Sequence, residues 1–469
     1  MDTKKLRQKI LDLAIRGKLV PQDPNDEPAS VLLERIRAEK EQLIKEGKIK
    51  RSKKSAATDK SHYENVPFEI PENWCWVTGN DIFNAMISCK PQGDEFKYID
   101  IDSIDNKNHR IISPKILKVK NAPSRASRYT QPGDVLFSMV RPYLKNIALV
   151  EEGSCIASTG FFVCSPMQLL TSEYCYYMML SDYVIYGLNQ YMKGDNSPSI
   201  NNGHITSWLY PIPPINEQLR ISAEIKKWFV FIDDLERGKI ELESLIKQVK
   251  STILDLAISG KLLPQDPNDE PAIELLKRIN PDFQSCDNSH YENIEFDIPQ
   301  NWVWATIGDI FEHNTGKALN ASNPNGTMLD YITTSNLYWD RFELSIIKQM
   351  PFTESEIERC IVRKGDLLIC EGGDVGRAAI WDYDYNIMIQ NHIHRLRGKV
   401  DICTRYFFYL FMHYKLHNLI GGKGVAIQGL SSRDLHNLII PVPSLKEQYD
   451  IASSIDLYFS KLDMITAEL

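Results

Sequence analysis

The sequence has no long apolar run and no secretory leader. No segment reaches the roughly 18 consecutive apolar residues of a membrane-spanning helix. The N-terminus, from Met1 to Lys5, leads into a mixed helical pattern without the apolar core of a signal peptide. We therefore expect a cytoplasmic protein with no membrane partner.

Signatures of catalysis and of phosphate binding are also missing. There is no G-x-S-x-G, no H-E-x-x-H, no P-loop and no G-x-G-x-x-G after a predicted strand. The glycine-rich run Gly421–Gly424 lacks the Lys-Ser/Thr of a phosphate loop, and the Asp/Asn-Pro-Pro-aromatic motif of amino-methyltransferases is absent. The sequence predicts a non-catalytic chain that holds no cofactor of its own.

Clustered metal or disulfide ligands are missing as well. The nine cysteines form no C-x-x-C pair and no Cys/His group at zinc spacing, so we expect reduced thiols. His392 and His394 share one face of a predicted strand, but no carboxylate or cysteine nearby completes a site. The sequence predicts no metal centre; a polar strand face that reads a nucleic acid, or ordinary structure, remain open for this pair.

Positive charge is in deficit, with 54 Lys and Arg against 62 Asp and Glu and a net charge of -8. This balance argues against a protein that coats nucleic acid, but it is compatible with a local basic face. The basic run from Arg35 to Lys54 is interpreted as a solvated helix followed by a flexible linker.

What the sequence does contain is a duplication. The block Ile10–Ile36 recurs at Ile253–Ile279 with 22 of 27 positions identical, and Ser61–Phe83 recurs at Ser289–Phe311 with 15 of 23 identical. A third block, P-x-P-x-x-x-E-Q, occurs at residues 211–218 and again at 441–448. The chain therefore has two homologous halves.

The repeat is arranged circularly around a central helix. Apolar residues at heptad-like spacing predict one helix from Gln218 to Ser259, ended by Gly260. The C-terminal segment matches the first part of that helix, and the N-terminal segment matches the second part. Because so long an apolar stripe would otherwise be exposed, we predict an antiparallel coiled coil between the central helix and the two terminal helices. The predicted interface residues are Leu6, Ile10, Leu13, Ile221, Ile225, Trp228, Ile232, Leu235, Leu242, Leu245, Val249, Ile253, Leu256, Ile451, Ile455, Tyr458 and Leu462.

The segments between the helices are predicted to be two mixed domains. Each opens with an aromatic strand, continues with short β-rich runs and carries one late aromatic helix, Ser172–Leu188 and Thr404–Ile420. The fold class is α+β, with two mixed α/β domains joined by long antiparallel coiled-coil spacer helices and related by approximate twofold symmetry. The predicted division is a spacer helix and linker at 1–60, a domain at 61–214, the central helix and linker at 215–288, a domain at 289–444 and a spacer helix at 445–469.

Basic and amide side chains occur in corresponding loops of both domains. Arg and Lys bind phosphates or guanine, and Asn and Gln pair with adenine, so these groups suit DNA, although any single member is equally well a solvated surface residue. The candidate DNA-contact residues are Lys90, Gln92, Arg141, Tyr143, Lys145, Lys193, Asn196, Asn201, Lys317, Asn320, Ser335, Asn336, Arg377, Asn391, His392, Lys423 and Gln428.

In combination these motifs resemble the specificity subunit of type I restriction–modification enzymes, in both halves and over nearly the whole chain. The motifs are G-K-L-V/L-P-Q-D-P-N-D-E-P-A, E/Q-N-W-x-W, G-D-V/L-L and P-x-P-x-x-x-E-Q. The runs Gly365–Arg377 and Ile389–Arg397 resemble one subtype of its target-recognition domain, and Gly133–Tyr143 resembles another, together with Ala157–Phe161.

The resemblance implies a DNA-binding subunit of a larger complex. Each domain would read one half of a split, asymmetric site in double-stranded DNA, and the spacer helices would dock two adenine methyltransferase subunits. A motor-nuclease subunit would join them. S-adenosylmethionine, ATP and magnesium would belong to those partners. The alternative from the residues alone, slightly favoured by the acidic charge, is a coiled-coil scaffold whose two domains bind protein.

Overall fold

A computed structural model describes residues 2–46, 66–285, 297–319, 325–420 and 430–469. The chain folds as two compact units, Met1–Gly238 and Lys239–Leu469. Each unit contains one of the predicted domains, one terminal segment and part of the central helix. The five-segment division made from the sequence stays a prediction.

The first unit begins with helices and continues as a domain of short strands. Its helices are α1 (Thr3–Ile15), α2 (Ala29–Lys45), α3 (Gly79–Ile82), α4 (Ser172–Leu180), α5 (Asp182–Asn189), α6 (Asn202–Ser207) and the first part of α7 (Ile215–Ile258). Its strands are β1 (Cys75–Thr78), β2 (Glu95–Ile99), β3 (Ile104–Asp105), β4 (Arg110–Ile111), β5 (Lys115–Lys118), β6 (Ala126–Thr130), β7 (Val135–Ser138), β8 (Ile147–Leu149), β9 (Cys155–Ser158), β10 (Phe161–Cys164) and β11 (Leu209–Ile212).

The second unit has the remaining elements. Its helices are the rest of α7, α8 (Ala272–Lys277), α9 (Ile307–Ile310), α10 (Glu354–Cys360), α11 (Thr404–Leu416), α12 (Ser432–His436) and α13 (Leu445–Glu468). Its strands are β12 (Val303–Thr306), β13 (Phe311–Thr315), β14 (Thr327–Ile332), β15 (Leu337–Tyr338), β16 (Arg341–Phe342), β17 (Lys348–Phe352), β18 (Ile361–Val362), β19 (Leu367–Cys370), β20 (Ala378–Ile380), β21 (Ile387–Ile389), β22 (Ile393–Gly398) and β23 (Ile439–Val442).

The two domains share most of their sheet topology although their interiors differ in sequence, and the second domain has one additional edge strand, β13. In the first, the strand order is β5-β2-β9-β6 in one sheet and β10-β7-β8 in another; in the second, it is β17-β14-β21-β18 and β13-β22-β19-β20. The parallel pairs β2–β9 and β14–β21 correspond, and so do the antiparallel ribbons β1–β11 and β12–β23. The predicted α+β class is confirmed, and the duplication extends through the divergent interiors.

One local feature differs from the expectation. The single helix expected over Ser172–Leu188 is divided at Ser181, whose backbone is extended and whose hydroxyl accepts from the amide of Val184 at 3.4 Å. A serine favours this N-cap role over a helix interior because its side chain competes for backbone amides. The central helix is continuous through Gly238, as expected, although the apolar spacing is interrupted there.

Each terminal helix packs within its own unit. Ile10, Leu11 and the α7 residues Ile221 and Ile225 all lie in the core of the first domain. Arg7 pairs with Asp233 near the far end of that part of α7, so the two helices run antiparallel. In the second unit, Ile451 and Ile455 of α13 join the core with Leu254 of α7. The helices α1, α7 and α13 therefore pack into the domain cores as well as against each other.

A buried polar joint connects the three repeated blocks of the first unit. Gln22 Nε2 donates to Glu217 Oε1 at 2.6 Å, and Trp74 Nε1 donates to Glu217 Oε2 at 3.0 Å. Gln218 is fully buried and accepts from the Thr171 amide at 2.8 Å. Each block supplies one partner, which is a structural reason for the three motifs to recur together.

The second unit repeats this joint. Gln265 Nε2 and Trp302 Nε1 donate to the two carboxylate oxygens of Glu447, at 2.5 and 2.7 Å. Burial raises the pKa of Glu447. Beside each joint a glycine with positive φ ends a helix: the Cβ of an alanine at Gly17 or Gly260 would lie 2.4 Å from a proline Cγ. The repeated blocks thus form a frame with the same contacts twice.

Candidate nucleic-acid interface

The first domain has an open cleft of about 890 Å³ where loops from several strands meet. The loop after β2 contributes Asp100 and Asp102, the turn between β3 and β4 contributes Asn106, and the loop after β7 contributes Arg141 and Asn146. Further lining residues include Arg125, before β6, and Ser197. The cleft therefore presents cationic, anionic and amide groups together, which is the side-chain inventory that recognises base edges and phosphates.

Strained backbone surrounds this cleft. Arg141 and Lys145 have φ of 48° and 55°, and His109 has φ of 54°. Left-handed conformations are unfavourable for such residues, so the surrounding contacts must hold them. The Arg141 guanidinium donates to the Asn196 carbonyl at 2.7 Å, and Lys145 Nζ lies 2.9 Å from Asp182 Oδ1. The loop geometry is thus fixed by specific polar contacts.

The other predicted residues of the first domain lie on its surface. Lys90, Gln92, Lys193 and Asn196 are exposed, and the Tyr143 ring is 44% exposed. Asn201 is exposed but acts as the N-cap of α6, accepting from the His204 amide at 3.2 Å. Of all the predicted contact residues of the first domain, only Arg141 lines the cleft.

The corresponding loops also meet in the second domain. The Arg377 guanidinium donates to the Thr334 carbonyl at 2.6 Å and lies 5.2 Å from the centre of the Tyr338 ring. Arg341 lies 4.8 Å from the same ring. Ser335, in the loop after β14, is exposed. Two arginines stacked on one tyrosine make a basic, partly aromatic surface where the first domain has its cleft.

Some predicted contact residues of the second domain are committed to its structure. Lys317 is 5% exposed, and its ammonium lies 2.7 Å from Glu356 Oε2. Asn336 is 8% exposed and donates to the carbonyls of Glu343 and Ile346. Neither side chain is presented to solvent.

The remaining predicted residues divide between the surface and the residues outside the described ranges. His392 is exposed, 3.4 Å from Glu371, and the Asn391 amide lies beside its ring. His394 is buried between His313 and the Leu430 carbonyl. Outside the described residues lie Asn320, Lys423 and Gln428.

Two carboxyl groups that line the first cleft, those of Asp100 and Asp105, have lowered pKa values. Burial raises the pKa of Asp100, but hydrogen bonds from Lys115 and Ser103 outweigh it and bring the pKa below the ordinary value. The backbone amide of Lys107 and the Asn108 amide lower the pKa of Asp105. Anionic acceptors beside arginines can select base edges, because a carboxylate accepts from the cytosine amino group and repels phosphate.

Sequence reasoning missed several residues of this interface, and among them are Arg125, Tyr338 and Arg341. The last two lie on a hairpin of β15 and β16 whose turn residue, Asp340, has φ of 57°. The segment Leu337-Tyr338-Trp339-Asp340-Arg341 alternates too briefly to signal two strands, although its Trp-Asp pair is a turn indicator. Arg125 precedes β6 in a loop with no motif.

The predicted interface residues of the helices fall into three groups. Buried are Ile10, Ile221, Ile225, Ile232, Ile451 and Ile455. Half-buried are Leu6, Leu13, Leu242, Ile253 and Leu462. Exposed are Trp228, Leu235, Leu245, Val249, Leu256 and Tyr458. In the second part of α7 the buried positions are Ile246, Leu254, Ala257 and Ile258, and the first three each lie one residue away from a predicted position.

The fold and its paired loop surfaces define a two-domain protein built on long helices, and known proteins share both its sequence pattern and its architecture. Residues 299–469 match the family described as Type I restriction modification DNA specificity domain. The chain is 26% identical to the type I restriction enzyme EcoAI specificity subunit of Escherichia coli, over 97% of this chain and 88% of that protein. It is 26% identical to the EcoEI specificity subunit of the same organism, over 99% and 90%. The second domain thus matches the family of type I restriction–modification DNA specificity domains, and the chain as a whole is similar to type I restriction enzyme specificity subunits.

Solved structures share the fold. The HsdS subunit from Thermoanaerobacter tengcongensis superposes with a TM-score of 0.60 and 23% identity, over 86% of this chain and 93% of that chain. A chain from a structure concerned with complex assembly and conformational transition of the type I R-M system gives a TM-score of 0.65 and 22% identity, over 86% and 94%. Among the described residues, no helix combines the length and apolar character that crossing a membrane requires.

Proposed function

We propose that this chain is the non-catalytic, sequence-reading subunit of a type I restriction–modification complex. Each domain reads one half of a bipartite, asymmetric site in double-stranded DNA. The observation that carries the proposal is the pairing of a constant frame with variable loops: the joints are the same in both units, whereas the loops that meet at the interface differ. Two different loop sets on one frame suit two different half-sites.

The chemistry of the two loop sets supports different readings. The first cleft combines Arg125 and Arg141 with carboxylates, and the second surface combines Arg341 and Arg377 with Ser335. Arginine pairs bidentately with guanine and carboxylates accept from cytosine, whereas hydroxyl groups discriminate less. The first domain is therefore the better candidate for a half-site rich in G·C pairs.

The long helices are proposed to dock two adenine methyltransferase subunits. Apolar side chains stay exposed at equivalent places on α7 and α13: Trp228 and Tyr458 are each 40% exposed, and Leu235 and Ile465 are 37% and 44% exposed. Exposed apolar groups repeated at matching positions suit two copies of one partner. A motor-nuclease subunit joins this complex in the cytoplasm. S-adenosylmethionine, ATP and magnesium are held by the partners.

Mapping of methylated adenines tests this function. The chain is co-expressed with its methyltransferase subunit, and the methylated sequence is read by single-molecule sequencing. We expect a bipartite motif. Arg141→Ala should weaken discrimination at one base pair of one half-site by about 1–3 kcal/mol, and Arg377→Ala should act on the other half-site only.

The matched control is Arg278→Ala. Arg278 is an exposed arginine, 53% accessible, paired with Glu270 in the repeated block and away from either loop set. We expect its motif to be unchanged. Methylation without a bipartite motif, or equal changes in both half-sites from either loop variant, would contradict the proposal.

A further inference from the structure

A carboxylate and two imidazoles converge in the second unit, between α7 and the end of α11. His413 and His417 lie one helical turn apart on α11 and its C-cap, so both side chains face the same way. Asp255 of α7 lies opposite, with Oδ1 at 3.1 Å from His413 Nε2 and 2.7 Å from His417 Nε2. The three ligand atoms all lie within 4.8 Å of one another.

The first unit supplies an internal comparison for this cluster. Its equivalent carboxylate, Asp12, accepts from Arg16 Nε at 2.7 Å. The residue that replaces Arg16 in the second copy is Ser259, whose hydroxyl donates to the Asp255 carbonyl at 2.7 Å. Where one copy neutralises its carboxylate with a guanidinium, the other has lost that cation and gained two histidines.

The second copy places no lysine or arginine where the first copy has Arg16. Among the described residues, no lysine or arginine forms an ion pair with Asp255, whose Oδ1 instead lies within hydrogen-bonding distance of the Nε2 atoms of both His413 and His417. One carboxylate oxygen and two imidazole nitrogens therefore converge on one point, and these are donor atoms that transition metals take as ligands.

We propose that Asp255, His413 and His417 bind a divalent transition-metal ion of the zinc class. Two imidazole nitrogens and one carboxylate oxygen suit Zn²⁺, Co²⁺ or Ni²⁺ better than Mg²⁺ or Ca²⁺, which prefer oxygen ligands. Bonds of about 2.0–2.2 Å to a tetrahedral ion place ligand atoms about 3.3 Å apart. The distances of 3.1 and 2.7 Å from Asp255 Oδ1 to the Nε2 atoms of His413 and His417 would therefore widen by about 0.2 and about 0.6 Å.

The surroundings set the coordination and the strength of the site. The side chains of Asp255 and His417 are 45% and 42% exposed, so water has access to a fourth position, whereas His413 is 6% exposed. Nδ1 of His413 has no hydrogen-bond partner among the described residues. A metal-bound ring carries its proton on that nitrogen, so we expect binding about 10–100-fold weaker than at a site with a complete outer shell. The ion ties α11 of the second domain to α7.

The test is a metal titration of the purified full-length chain after chelation. We expect one equivalent of Zn²⁺ to bind, and one equivalent of Co²⁺ to give the visible absorption of a four-coordinate N/O site. His417→Ala and Ser259→Arg should each abolish this equivalent; the arginine restores the cation that the first copy holds in the same place. The matched control is His392→Ala, an exposed histidine elsewhere in the unit, which should keep the full equivalent.

Circular dichroism shows whether each variant keeps its fold. We expect His417→Ala to fold normally because His417 is exposed. The proposal is overturned if the full-length chain binds less than one equivalent of every ion tried at neutral pH. It is also overturned if folded His417→Ala and Ser259→Arg variants bind as much metal as the unaltered chain. Neither result would bear on DNA reading, since methylation mapping measures that separately.

Discussion

Replacing Gly17 by alanine should destabilise the first unit through a collision that a second glycine in the same unit lacks. Gly17 and Gly153 have nearly the same φ, 68° and 66°. A Cβ at Gly17 would lie 2.4 Å from Pro71 Cγ and 3.3 Å from Trp74, whereas a Cβ at Gly153 would have nothing within 4 Å. The pair therefore separates backbone strain from packing.

The magnitude follows from these two terms. Left-handed backbone costs alanine about 1–2 kcal/mol, and the restricted unfolded chain returns about 0.4–1 kcal/mol. Both terms are common to the two variants, so Gly153→Ala should lose between about 0 and about 1.6 kcal/mol. Overpacking against Pro71 and Trp74 adds about 1–3 kcal/mol for Gly17→Ala alone.

Native-state hydrogen exchange of the full-length chain measures the difference. The free energy of opening is taken from peptides of α1 and β1, which belong to the first unit, with peptides of α13 as the internal reference. The reasoning fails if the two variants lose the same stability, or if Gly17→Ala weakens peptides of the second unit to the same degree.

Two further predictions concern single polar contacts. In Glu447→Gln the side chain keeps one acceptor oxygen, so Trp302 or Gln265 loses its partner and stability near neutral pH should fall by about 1–3 kcal/mol. Burial raises the pKa of Glu447 above its ordinary 4.5, so the folded state holds this proton more tightly, and stability should decrease as pH rises from the unfolded pKa through the folded one. Urea unfolding at successive pH values should show this decrease in the free energy of unfolding in the unaltered chain but not in the variant. If the pH dependence is the same in both, Glu447 does not titrate as the joint requires. Lys317→Met removes the partner of Glu356 and should lower the free energy of unfolding by about 1–3 kcal/mol. It should leave the salt dependence of DNA binding by the complex unchanged. If the slope of log K against log salt concentration falls by about one, Lys317 contacts a phosphate instead.

The repeated blocks were predictable because each of them occurs twice in the sequence. Identity between the halves exposed the blocks, and the helix pattern predicted α7 to within three residues of its observed N-terminus at Ile215. What the repeat could not reveal was how the blocks meet. Trp74 and Glu217 are 143 residues apart, and only the folded domain places the indole nitrogen on the carboxylate.

The interface stays a prediction, and the structure groups its residues differently from the sequence. Of the predicted first-domain residues only Arg141, in the loop after β7, lines the cleft, where it lies with Asp100 of the loop after β2, which was not a candidate. Individual side chains were harder, because a buried lysine and an exposed lysine look alike in a sequence. Lys317 differs from Lys90 only through Glu356, which follows it by 39 residues.

The stripe on α7 illustrates the same limit. Heptad spacing indicates that apolar residues share a face, but it does not identify the partner of that face. Ile225 packs into the first domain, while Leu245 is 53% exposed. Both fit the spacing equally well.

The antiparallel ribbons that pair the first and last strand of each domain have an evolutionary consequence. Cys75 pairs with Ile212 and Val303 pairs with Val442. The first and last residues of each domain therefore lie side by side where the domain is connected to the repeated blocks. The blocks that contain those junction strands recur in both halves, with 15 of 23 positions identical between Ser61–Phe83 and Ser289–Phe311. Homologous exchange at these segments would replace an entire reading domain while preserving the junction strands. Such a gene can acquire a new target in one recombination event, without passing through intermediates that fold poorly.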